Sequence, residues 1–97
     1  MKPSPSIIDG ALVLFWAKTA GSAKTDACTF RAEGQVQSQF AGLAIAQYER
    51  DASCYLFLCD ENWETQNDSL HRDVNEARAF AESLYPGISA RWQSATE

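Results

Sequence analysis

The sequence predicts an α+β fold: an antiparallel meander sheet of about five strands with one helix, about residues 73–85, packed on one face. Three observations predict it. Several runs of strand length alternate apolar and polar residues, or are apolar throughout, with only short turns between them. One stretch has apolar residues at helical spacing, with a cap before it and Pro86-Gly87 after it. A last alternating run follows the helix and returns the chain to the sheet.

Residues 1–6 hold two prolines and two serines and read as a loose N-terminal tail. Residues 11–19 form a strand with Leu12, Leu14 and Trp16 on one face and Val13, Phe15 and Ala17 on the other, so both faces are expected to be buried. A small, polar loop covers residues 21–26. Residues 28–37 alternate as a half-solvated antiparallel strand, with Cys28, Phe30, Ala32 and Val36 on the apolar side. After a turn near Ser38, residues 41–48 divide into a bulky side, Leu43 and Ile45, and a small side, Gly42, Ala44 and Ala46, that lets another element come close. Residues 49–53 turn the chain, and residues 54–60 are apolar enough for a central strand.

Asp60-Glu61-Asn62 can turn through Asx hydrogen bonds, and residues 63–70 return as a short, mostly polar strand. The helix follows, with Asp73 as its cap and Glu76 three residues on as a capping-box partner. Val74, Ala77, Phe80, Ala81 and Leu84 share its inner face, while Glu76, Arg78 and Glu82 point outward. Residues 88–93 close the sheet as a final strand, with Ile88, Ala90 and Trp92 inward.

Ninety-seven residues suit a single domain and are too few for two cores, and a 45% apolar composition can offset the entropy of folding without cross-links. The net charge of -5 and the scattered Lys and Arg residues exclude a nucleic-acid partner. No apolar run approaches the roughly 20 residues that cross a bilayer, so no membrane partner is expected. Three irregularly spaced cysteines do not form a disulfide framework; with no signal-peptide pattern at the start, they point to a reducing, cytoplasmic setting.

Cys54, Cys59 and His71 offer the ligand types zinc prefers. On a regular strand, however, residues five apart face opposite ways, so the two thiols cannot share an ion and no metal is expected. No cofactor is implied, because the glycine-rich phosphate loop, the nucleotide fingerprint and the zinc-protease helix motif are all missing from the sequence. A small enzyme would gather around Asp60, Asp68, Ser69 and His71, with a carboxylate orienting the imidazole and the imidazole activating a hydroxyl or the Cys59 thiol. Turn-building explains the same residues. Trp63 lies among polar neighbours and either folds back over the core or stands out as an interface anchor.

Tyr55-Leu56-Phe57-Leu58-Cys59-Asp60-Glu61-Asn62-Trp63 and Asn67-Asp68-Ser69-Leu70-His71 are followed by Glu76, Ala77, Ala81, Glu82 and Tyr85, then Gly87, Ile88 and Trp92. That succession resembles a small bacterial α+β domain of uncharacterised function, over about the last two fifths of the chain. The resemblance implies the fold and no known reaction. Some proteins of this size and architecture are immunity proteins that sit against a toxin, an analogy of fold alone. The expected function is therefore protein or ligand binding, immunity-like or accessory, with Asp60, Trp63, Asp68 and His71 as candidate binding residues. Its rivals are a small enzyme centred on Asp60, Asp68 and His71, and a structural homodimer whose sheet supplies the contact.

Overall fold

The computed structural model describes residues 2–19, 30–32, 35–37 and 40–95. The strands are β1 (Ile7–Ile8), β2 (Ala11–Lys18), β3 (Phe30–Ala32), β4 (Gln35–Gln37), β5 (Gly42–Gln47), β6 (Cys54–Cys59), β7 (Thr65–His71) and β8 (Gln93–Ser94), with helix α1 at Val74–Leu84 and a 3-10 turn at Ile88–Ala90. The path β1-β2-β5-β6-β7 is the expected five-stranded antiparallel meander, curved as a half-barrel with α1 packed against it. β8 adds to β2, opposite Phe15 and Trp16. Among the described residues, no helix is long and apolar enough to cross a membrane.

The meander starts earlier than expected. Asp9 and Gly10 link β1 to β2, and both have positive φ, 51° and 84°, as a two-residue type I′ hairpin requires. The supposed loose tail is held at two points, since Val13 N–H donates to the Ser6 carbonyl and Trp63 Nε1–H to that of Lys2. Within the expected strand over residues 28–37, the described Phe30–Ala32 and Gln35–Gln37 are two strands, β3 and β4, paired antiparallel with each other. The loop expected over residues 21–26, Cys28 and the turn near Ser38 lie outside the described residues.

On β2 the expected alternation breaks. Val13 lies opposite Ala46 and Phe15 opposite Ile45, so Leu14 is an extra, bulged residue. Ala11 and Val13 therefore join one apolar cluster, whereas Leu14, Phe15 and Ala17 join the other, and Trp16 returns to the first. Leu12, expected inside, is half exposed.

Each face of the sheet has its own core. On the helix face, Leu43, Ile45, Leu56 and Leu58 meet Ala77, Ala81 and Leu84 of α1. The other face is aromatic: Ala44, the small residue of β5, lies between Trp16 and Phe57 on its flanking strands, and Trp63 closes over them. The small side of β5 thus makes room for rings rather than for a helix. Ile8 and Trp63 belong to this cluster, so the chain itself covers part of its second face.

Asp73 caps α1 as expected, its Oδ1 accepting the Glu76 N–H at 2.8 Å. The reciprocal bond is displaced by one residue, with Glu76 Oε1 accepting the Arg72 N–H. Arg78 is half-buried instead of pointing freely outward, its guanidinium 4.3 Å from the centre of the Phe15 ring.

The final strand is largely replaced by the 3-10 turn. Gly87, at φ 94°, starts it, and Ala90 is exposed instead of inward. Glu82 holds the turn by accepting hydrogen bonds from the amides of Gly87 and Ser89 and from the Ser89 hydroxyl. These donors, the Gly87 amide first, lower its pKa from the usual 4.5. The ionised form is therefore favoured in the fold: its contribution is present above the unfolded-state pKa and disappears as pH falls through the lower folded value. The Glu82 side-chain carbon is expected to titrate below the ordinary glutamate value by NMR, with exchange of the Gly87 amide accelerating over the same interval. A midpoint at or above that value contradicts the bonding.

Candidate functional site

The chemistry-bearing residues named from sequence lie on β6, β7 and the turn joining them. Asp60 builds that turn. Its Oδ1 accepts the amides of Asn62 and Glu64 at 2.8 and 2.9 Å, and its Oδ2 accepts Gln66 Nε2–H at 3.3 Å. This is the expected Asx turn, and it forces the following indole inward. Trp63 takes φ 62°, a left-handed conformation costly for a bulky residue, while its N–H donates to the Asp60 carbonyl. Its ring is 6% exposed and meets Trp16 edge-on at 5.9 Å. Of the two sequence readings, Trp63 therefore folds back over the core.

Past a register shift at Gln66, residues 67–71 of β7 alternate. Asn67, Ser69 and His71 lie opposite Leu58, Leu56 and Cys54 and so share the helix face. Asp68 and Leu70 lie opposite Phe57 and Tyr55 on the aromatic side, and both are exposed. Asp68 and His71 consequently point to opposite faces. Asp60 follows Cys59 whereas His71 pairs with Cys54, which separates them by roughly 17 to 20 Å at about 3.3 Å per strand residue. The proposed enzyme centre of Asp60, Asp68 and His71 does not converge.

His71 instead finds a carboxylate that sequence spacing did not single out for it. Its Nε2 lies 2.7 Å from Ser69 Oγ, and its Nδ1 lies 3.6 Å from Glu76 Oε1. Hydroxyl, imidazole and carboxylate in that order are the connectivity that activates a serine nucleophile. Here the outer link is too long for a hydrogen bond. Glu76 Oε1 already accepts the Arg72 amide, and Oε2 faces the Arg72 guanidinium at 3.6 Å. The imidazole is 8% exposed and sits 5.0 Å from the Phe80 ring. The arrangement ties the end of β7 to the first turn of α1.

Cys54 lies in the helix-face cluster and Cys59 in the aromatic one, on opposite sides of β6 as the spacing required. They cannot share an ion. Burial pushes the Cys59 thiol up to about 12, and burial with nearby Asp73 and Asp51 raises that of Cys54. Both thiols stay protonated near neutral pH, so neither is a ready nucleophile.

What remains accessible is the edge of the sheet. β7 is the last strand of the meander, and Leu70 on it is 59% exposed. The surrounding charge is one-sided. Residues 60–76 hold six carboxylates and, among lysine and arginine, Arg72 alone, a net of -5 that equals that of the whole chain. Sequence reasoning registered the total charge and missed its concentration on one strand and its flanks. Compared with protein-family models, curated proteins and solved structures, the chain matches none.

Proposed function

We propose that this chain is a protein-binding module of immunity or accessory type, acting by surface complementarity and not by turnover, in a reducing cytoplasmic compartment. One observation carries the reading: Leu70, a large exposed apolar side chain, stands on the strand around which the entire charge excess is gathered. An apolar anchor rimmed by charge of one sign is how interfaces combine desolvation with selection among partners. Asp68 and Leu70 make the contact in this reading. Asp60, Trp63 and His71 contribute by fixing the turn and the two ends of β7. The buried, protonated thiols of Cys54 and Cys59 suit a reducing environment.

The test is dependence on Leu70. A tagged chain recovered from its source cells is expected to retain a protein partner that Leu70→Glu loses and Leu70→Met keeps. The melting temperature should stay close to that of the parent, because surface changes away from special features usually stay within about 0.5 kcal/mol. A partner retained equally by Leu70→Glu removes the reading.

A further inference from the structure

Resting on the binding-module reading, we infer that β7 receives an extended, cationic segment of the partner protein as an added strand along its outer edge. β7 pairs with β6 on one side, and among the described residues no strand pairs with the other. The amide of Asp68 shows which groups that edge offers. Its N–H donates to the side-chain oxygen of Asn67 at 2.8 Å instead of to β6. The two-residue repeat of an antiparallel ladder turns the Leu70 amide to the same edge. A neighbouring side chain is a removable cap, and a strand carbonyl can replace it. Lysine and proline, with which edge strands are commonly blunted, are absent from the sequence of β7, and its bulge at Gln66 leaves residues 67–71 in regular register.

Charge selects the occupant. A second copy would bring another acidic segment, also net -5, against the first, and two β7 strands paired around their centres would set Asp68 beside Asp68. Nucleic acid and anionic membrane are repelled for the same reason. Asp68 and Leu70 share a face, so the occupant needs Lys or Arg opposite Asp68 and, two residues along on that same face, an apolar residue opposite Leu70. Main-chain hydrogen bonds would supply affinity, and the alternating side chains specificity.

A synthetic eight-residue peptide of Lys-Lys-Val-Val repeats, which sets lysine and valine in turn along each face, tests this directly, beside a twin of equal charge whose edge-facing amides are N-methylated. With the isotopically labelled chain, the first peptide is expected to slow exchange of the Asp68 and Leu70 amides by at least about tenfold. The N-methylated twin and the Asp68→Lys variant should each weaken binding by at least about tenfold. Equal affinity of the two peptides would reduce the interaction to charge alone and overturn the added strand. So would no binding of the first peptide at low salt, protection confined to other strands, or peptide-free protection that rises with the chain's own concentration. The two readings fail separately. A partner lost with Leu70→Glu while the Asp68 and Leu70 amides exchange freely in its complex keeps the module and removes the strand, whereas a partner indifferent to Leu70 removes the module.

Discussion

Trp63→Ala is expected to lower stability by about 3 to 5 kcal/mol, the usual range for removing a large buried aromatic side chain. The indole fills the aromatic core, makes the edge-on contact with Trp16, and bonds to the Lys2 carbonyl, so its loss also frees the N-terminal segment. Backbone conformation adds a sharper test. At φ 62°, alanine keeps the strain that tryptophan bears, whereas glycine does not. Trp63→Gly should therefore be at least as stable as Trp63→Ala in urea unfolding, reversing the common order. An alanine variant clearly more stable than the glycine variant would contradict the left-handed turn.

Leu84→Ala is expected to cost about 2 to 5 kcal/mol, because the side chain is fully buried beside Tyr85 and Ile88 at the end of α1. Its neighbourhood has little freedom to collapse into the gap. The Tyr85 hydroxyl accepts the buried Phe40 amide at 3.0 Å, and the 3-10 turn fixes Ile88. An unfolding midpoint unchanged within error would place Leu84 outside the core and shift the register of the helix.

The helix and the middle of the meander were legible because local and global signals agree there. Asp73, the apolar spacing from Val74 to Leu84, and Pro86-Gly87 mark the helix from both ends. The apolar run of β6 and the small side of β5 declare a strand covered on two faces. The β1-β2 hairpin was legible too, in Asp9-Gly10 between apolar pairs, and was not read from the sequence. Other features have no local signature. The bulge at Leu14 is set by pairing with β5, and an alternating pattern cannot announce the residue where it slips. Residues 88–93 alternate like a strand, yet Glu82 at a distance captures the amides that a ladder would have needed. His71 meets Glu76 because the strand ends where the helix begins, a corner that spacing along the chain does not encode. Charge clustering required only a local count of acidic and basic residues; its meaning required knowing that β7 is an outer strand.

Hydrogen exchange on the chain in complex with the partner captured from its source cells, compared with the free chain, tests the central claim most directly. Binding at the acidic edge predicts that new protection is greatest within Thr65–His71, centred on Asp68 and Leu70. Protection concentrated on α1 or around Ile7 and Leu12, with β7 exchanging as in the free chain, would contradict it.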